Sequence, residues 1–318
     1  MNAVDHNNVV IFDDRGIPSI MCRFVRPKDT EETPAVFKIG DKVADAIYIS
    51  KYPNIVIDGR AYSMPMADPT VNITFDEAVQ ACRCKGLGWH LMTAVEYEYL
   101  LNQSREKDTM PHGNTDWGKD YYHNDEQGKV SNLGRTYTGT GPVTWNHDHT
   151  PYGVSDLNGN VWEWLAGLRI KDGVIEFIPG NKAASPYCDL SKDSTEWQQA
   201  ETSKGPVRAN VECGEITITD AVAADDYTPD YDGVRIEELE VKLSEIPQVL
   251  KDLGIIPDKR AEEEGKTYVY FDATEGEYLP IRGSAFDNAS GSGPSALSLS
   301  NPRSNSYDSI GFRSAFVE

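Results

Sequence analysis

The sequence predicts an α+β fold: two helices, short strands before and after them, and long ordered loops. Three observations carry that expectation. Thr74 with Glu77, and Thr93 with Glu96, are capping boxes that each precede a run of apolar residues at helical spacing. Short β-branched and aromatic runs bounded by turn residues recur before and after them. From 110 to 150 Gly, Asn, Asp and aromatic residues replace aliphatics, which predicts loops with little regular structure.

The chain has 318 residues, 39% hydrophobic and 10% aromatic, enough for one large core or two small ones. Asp and Glu (51) outnumber Lys and Arg (30), giving a formal charge of -21. That balance argues against nucleic acid, whose phosphates need clustered cations, and against an anionic membrane surface. The five cysteines, Cys22, Cys82, Cys84, Cys188 and Cys213, lack the density of a disulfide framework and are expected to be reduced and structural. The opening MNAVDHNNVVIFDD has neither a basic n-region nor a continuous apolar h-region, so synthesis in a cytosol without a signal peptide is expected. No later stretch has the length and apolarity of a membrane span.

In chain order, residues 8 to 27 read as two strands around an Asp-Asp-Arg-Gly turn, within an N-terminal strand segment of residues 1–34. A Pro/Thr/Glu-rich connector, Pro27 to Pro34, leads to the main domain, 35–318. Val43, Ile47, Ile49, Val56 and Ile57 favour strands, and Met64 to Pro69 a loop. In the first helix Phe75, Ala78, Val79 and Cys82 form one apolar face, with Gly86 as its stop; in the second Tyr97, Leu100 and Leu101 point inward. His147, Asp148 and His149 lack a third metal partner and are expected to be solvated loop residues. Asn158-Gly159 is a turn into a strand alternating Val161 and Glu163 against Trp162 and Trp164.

An insert from about 169 to 278 is harder to read. DAVAADDYTPDYDG gathers carboxylates, but with Gly233 as the loop glycine of an EF-hand the bidentate position falls on Leu239, so a solvated acidic loop is expected. Leu239, Leu243, Ile246, Leu250 and Leu253 form a narrow seam interrupted by Pro247, which predicts a broken helix packed on the domain.

VSDLNGNVWEW resembles the signature of the formylglycine-generating-enzyme branch of the C-type lectin fold. FDEAVQACR and HLMTAVEYEYL are similar to that branch's helices, with Met92, Val95 and Tyr97 in place of Pro, Glu and Trp, and Ile310-Gly311-Phe312-Arg313 matches its closing motif. The resemblance implies a C-type lectin-fold domain of this type, two helices around small twisted antiparallel sheets with long ordered loops, interrupted by the insert at about 169–278. The enzyme of that branch works through a pair of cysteines before its Gly-Phe-Arg, whereas this chain has no cysteine after Cys213, which disfavours a thiol oxidase. The calcium-binding triplets of sugar-binding lectins are also missing, since Trp145-Asn146-His147 lacks the final acid. No cofactor is expected; a structural calcium is compatible with the branch, without an identifiable ligand set.

Residues 282–316 use a restricted alphabet. None of the chain's Lys, Glu, Gln, Met or Trp falls there, and Ser, Asn, Asp, Gly, Ala, Tyr and Pro take their place, a set reachable by changing the adenines of Asn-type codons. A turn-rich loop with no ligand shares this composition. The stretch resembles the variable region of the variable proteins of diversity-generating retroelements, with framework elements Ala296-Leu297-Ser298-Leu299 and Arg303-Ser304-Asn305-Ser306. It departs at Ser284, where that family has a second glycine.

The resemblance implies a binding protein, of the kind that recognises a receptor for a phage or prophage, whose ligand is a protein or glycan on a target cell surface. It would reside on a virion tail or a cell surface. Ala285, Phe286, Asp287, Asn288, Ser290, Ser292, Ser295, Ser298, Ser300, Asn301, Tyr307 and Asp308 are its candidate ligand-binding residues, with Phe286 and Tyr307 as anchors; Asp287, Asn288, Ser290, Ser292, Ser298, Ser300, Asn301, Tyr307 and Asp308 are expected to project from one contiguous exposed patch. Leu297, Leu299, Ile310 and Phe312 are expected to be buried, and Glu163 to meet Arg313. An oxidase of the same fold and a fixed carbohydrate-binding module are the alternatives.

Overall fold

The computed structural model describes residues 6–318 apart from 225 and 259. The first five residues of the opening stretch and residue 225 of the acidic run lie outside them.

Both capping boxes form. Thr74 Oγ1 accepts from the Glu77 amide at 3.3 Å while Glu77 Oε2 accepts from the Thr74 amide at 2.9 Å, opening helix α1, Phe75–Arg83. Thr93 and Glu96 reciprocate at 3.1 and 2.9 Å to open α2, Ala94–Lys107. Cys82, Tyr97, Leu100 and Leu101 are fully buried on the faces the periodicity selects.

The N-terminal hairpin, His6–Phe12 with Pro18–Val25, turns on Asp13, whose carboxylate accepts the Arg15 and Ile17 amides at 2.9 and 2.8 Å. It continues into a five-stranded sheet through Ala46–Ser50, Ser314–Val317 and Trp89–Leu91, so strands from residues 1–34 and from the main domain share one ladder.

A larger sheet runs in the order Tyr231–Arg235, Tyr268–Asp272, Leu297–Asn301, Glu277–Arg282, Leu168–Lys171, Val174–Phe177, Arg208–Glu212, Glu215–Thr219, Glu240–Lys242. Trp162–Trp164 joins it by pairing antiparallel with Glu277–Arg282 and parallel with Ile310–Phe312. Ile170 lies opposite Tyr278, so the region from 169 to 278 leaves and re-enters the fold at one place. The core forms two main clusters, one around α2 and the region 170–271, the other joining α1 to Trp162, Trp164, Ile310 and Phe312.

Two expectations are corrected. The seam from Leu239 to Leu253 is not a broken helix: Glu240–Lys242 pairs parallel with Glu215–Thr219, and only α3, Gln248–Asp252, is helical. Pro247 cannot continue a helix from its N-terminal side and instead caps α3, which frees the preceding residues to complete the sheet. His147 and Asp148 are buried rather than solvated, with His147 Nδ1 accepting the Val154 amide at 2.8 Å. The acidic run is mostly exposed, but Asp220 is buried, accepting the Ser244 amide and the Thr202 hydroxyl at 2.8 Å each, and Tyr231–Arg235 is a strand.

Candidate ligand-binding surface

The three arginines between 282 and 316 all turn inward. Arg282 donates to Glu98 of α2 at 2.9 Å; Glu98 also pairs with Arg105, which reaches Glu264 at 2.9 Å. Arg303 grips Glu277 with two bonds of 3.0 Å and reaches Asp76 in the first turn of α1 at 2.7 Å. Arg313 is fully buried, holds Glu163 at 2.7 and 2.6 Å as expected, and donates to the Ser50 and Ser155 carbonyls at 2.9 and 3.0 Å. Each cation meets a carboxylate from elsewhere in the fold, so the charge is matched and the loops between the arginines are fixed in place.

The first loop leaves the sheet through Gly283 and Ser284, both left-handed at φ +93° and +65°. A side chain at Gly283 would collide with the Leu157 carbonyl and the Tyr97 hydroxyl, which requires glycine. Ser284 accepts the strain and places its hydroxyl 3.2 Å from Asn158 Oδ1. Farther on, Asn288 Oδ1 accepts the Ala285 amide at 2.6 Å, the Ala289 amide donates to Thr115 O at 2.9 Å, and the Tyr122 hydroxyl donates to Ser290 O at 2.9 Å.

The second loop follows Asn301. The Asn72 amide donates to Tyr307 O at 2.9 Å, and Arg135, paired with Asp68, donates to Asp308 O at 2.9 Å. Gly134 packs against Phe286 of the first loop and Arg135 beside it holds Asp308 O of the second, so both loops border the same short segment; desolvation and the Asp308 carboxylate raise the Asp287 carboxyl above its ordinary value.

Of the candidate residues, Asp287, Ser290, Tyr307 and Asp308 are exposed, Tyr307 by 55%, and Asn288 and Ser300 are half-buried. Ser292, Ser298 and Asn301 are buried, which corrects the expectation that they project from the surface, and the further candidates Ala285, Phe286 and Ser295 are buried as well. Ser298 and Asn301 lie on Leu297–Asn301, a strand paired on both edges, and bond to each other at 2.8 Å. Ser292 donates to Ala289 O at 2.6 Å, and Ser295 joins the Arg105–Glu264 pair. Phe286 packs edge to face on Trp117, with ring centroids 5.1 Å apart, rather than standing free as an anchor. Leu297, Leu299, Ile310 and Phe312 are buried as expected.

Sequence reasoning missed what lies beside these loops. Trp117, Tyr121, Tyr122 and Leu133 belong to the irregular stretch 110–150 and are exposed. The available signal was three rings within six residues that lack the aliphatic neighbours a core would supply. Behind the first loop lies a recess of about 440 Å³ lined by Tyr122, His112, His123, Lys266 and Ser292 among others. In it His112 and His123 stack at 3.6 Å, each with its Nδ1 on a carboxylate, Glu126 at 2.9 Å and Asp120 at 3.1 Å. Among the described residues no group of three or more His, Cys, Asp or Glu is placed to hold a metal.

The cysteines are all free. Burial pushes the Cys22 thiol up to about 12 and the Cys188 thiol up to about 11, and raises that of Cys82 as well, which disfavours thiolate chemistry at all three.

Residues 51–207 match the Sulfatase-modifying factor enzyme 1-like domain family, a match that runs past 169 into the expected insert. The formylglycine-generating enzyme of Mus musculus is 36% identical over 105 residues, 31% of this chain and 27% of the mouse protein, so the match spans about a quarter of that relative's length. The structure of PvdO from Pseudomonas aeruginosa aligns with a TM-score of 0.39 and 13% identity, covering 98% of this chain and 99% of that one. The P3c variant of the Major Tropism Determinant aligns with a TM-score of 0.36 and 12% identity, covering 100% of this chain and 73% of that one. The fold is α+β, a C-type lectin fold of the formylglycine-generating-enzyme type. Among the described residues no helix is long and apolar enough to cross a membrane.

Proposed function

We propose that this chain is a ligand-binding display protein and not an enzyme, one that recognises a protein or glycan on a target cell for a phage or prophage. In this reading Asp287, Asn288, Ser290, Ser300, Tyr307 and Asp308 touch the ligand, while Ala285, Phe286, Ser292, Ser295, Ser298 and Asn301 shape the loops from beneath. The observation that carries it is the division of residues 282–316 into inward-facing arginines and two neighbouring loops of small polar and aromatic residues. A surface free to change its side chains needs a frame that does not depend on them, and the arginine pairs supply one. Tyr offers large contact area at low entropic cost, and Ser and Asn offer adaptable polar contacts. The acidic balance disfavours nucleic acid as the partner. A virion tail or a cell surface would be its working location.

The deciding observation is genetic: a neighbouring reverse transcriptase gene, and a near-copy of the segment's coding sequence differing at adenines. Their absence would remove the diversification part of the reading. A thiol-oxidation assay with copper and a cysteine peptide tests the oxidase alternative, and turnover there would overturn the display reading.

A further inference from the structure

The exposed rings beside the display loops are themselves unexplained by the fold. Of the six tryptophans five are buried, and Trp117 alone is exposed, by 60%. Its backbone amide donates to Phe286 O at 2.8 Å, its ring meets that of Phe286, and Gly134 packs so closely that a side chain there would strike both rings. Leu133 beside Gly134 is exposed, and so are Tyr121 and Tyr122, whose rings meet edge to face at 5.1 Å. Tyr122 also holds the carbonyl of Ser290. The rings therefore continue the surface of the first display loop, although they come from a stretch outside residues 282–316.

The charges around this edge are one-sided. Among the described residues Asp287 and Asp308 have no cationic partner; Arg135 and Lys119 are engaged with Asp68 and Asp116 at 3.2 Å each, Arg235 lies over the Tyr268 ring, and Lys266 lines the recess behind the first loop. Every arginine of the segment is turned inward. Aromatic faces bordered by unmatched carboxylates suit a guanidinium or ammonium group, which the rings and the acids attract together.

Resting on the display reading, we infer that Trp117, Tyr121, Tyr122 and Leu133 form a constant aromatic edge of the binding surface, and that the partner is a polypeptide presenting Arg or Lys side chains to Asp287 and Asp308. The edge supplies sequence-tolerant contact, and the display residues select among basic partners. Interfaces draw much of their affinity from a few large aromatic anchors, the role assigned to Trp117.

A random dodecapeptide library displayed on filamentous phage is the probe, selected on the wild-type chain. The expected binders are rich in Arg or Lys, weaken as salt rises, and shield the one exposed tryptophan from acrylamide quenching. They lose affinity about tenfold or more on Trp117→Ala and on the double variant Asp287→Asn/Asp308→Asn. Neutral or acidic binders, no binders, or basic peptides that keep their affinity on Trp117→Ala would overturn the inference. So would neutral oligosaccharides that shield Trp117 without salt dependence. If binding falls on Ser290→Ala/Tyr307→Ala but not on Trp117→Ala, the edge is wrong and the display reading stands. If it falls on neither, the display reading fails too.

Discussion

Within residues 282–316 the arginines and the loops between them solve opposite problems. Arg282, Arg303 and Arg313 each meet a carboxylate that is buried within the fold, and their positions are fixed from several directions. Asp287, Ser290, Tyr307 and Asp308 are exposed, and the loops that carry them are held mainly through backbone atoms, at Ala289, Ser290, Tyr307 and Asp308. Apart from the Asn288 and Ser292 side chains, which bond within the first loop, these contacts use carbonyls and amides that remain whatever side chains the loops carry. On the proposed function, stability and recognition are thereby assigned to different atoms of the same stretch.

That contrast can be broken most forcefully at Glu163. Glu163→Ala leaves the Arg313 guanidinium buried without its carboxylate and is expected to cost about 3–5 kcal/mol. Urea unfolding measures it, and a loss below 1 kcal/mol would show that the pairs are not what fixes the segment.

Asp156 gives the next effect, through pH. Burial pushes its carboxyl up to about 6 from 3.8, so between those values the folded state holds a proton that the unfolded state has released. Stability therefore falls as pH rises from about 4 to 6 and stays lowered above, by about 2–3 kcal/mol. Asp156→Asn should remove the penalty, making the variant more stable than the wild type at pH 7 and nearly equal to it at pH 4. Denaturation curves at the two pH values check the sign.

Ser284 sharpens the comparison on a smaller scale. Its left-handed backbone disfavours any side chain, so Ser284→Gly is expected to stabilise by about 1 kcal/mol despite losing the contact to Asn158. A lower melting temperature would mean that the hydroxyl matters more than the strain.

The smallest effect belongs to the loops. Replacing Asp287, Ser290, Tyr307 and Asp308 together by Ala should move stability by no more than about 0.5 kcal/mol per site. Unfolding of that variant would erase the distinction between frame and display.

Much of the frame was legible because its signals are local. Two capping boxes place α1 and α2; the pairing of Glu163 with Arg313, 150 residues apart, came instead from the two motifs that carry the family resemblance. The candidate surface was legible only in part. Alternation along Leu297–Asn301 suggests that Ser298 faces solvent, but that inference assumes an open face, whereas Ser298 is buried opposite Tyr270 and bonded to the Ser300 and Asn301 side chains. Ser295 reads as a loop serine until Glu264, 31 residues earlier, is seen to accept its hydroxyl. Trp117 was missed for the same reason, since Phe286 lies far along the chain and no local pattern joins them. The seam at Leu239 went wrong because a heptad-like spacing of leucines does not reveal that the edge of Glu215–Thr219 is open to a parallel partner.

The position of the closing strands has a consequence for synthesis. Ile310–Phe312 pairs with Trp162–Trp164, and Ser314–Val317 lies between Ala46–Ser50 and Trp89–Leu91, so both sheets wait for residues translated after the display loops. Pairings of such long sequence separation form late, and the chain emerging from the ribosome exposes the unmatched edges until then. A stop codon or frameshift anywhere in the display stretch thus removes strands from both sheets at once, leaving a product for proteases rather than a folded protein with a damaged surface. On the display function proposed above, folding itself becomes a proofreading step: a copy with an altered but complete reading frame can pass it, and a truncated one cannot.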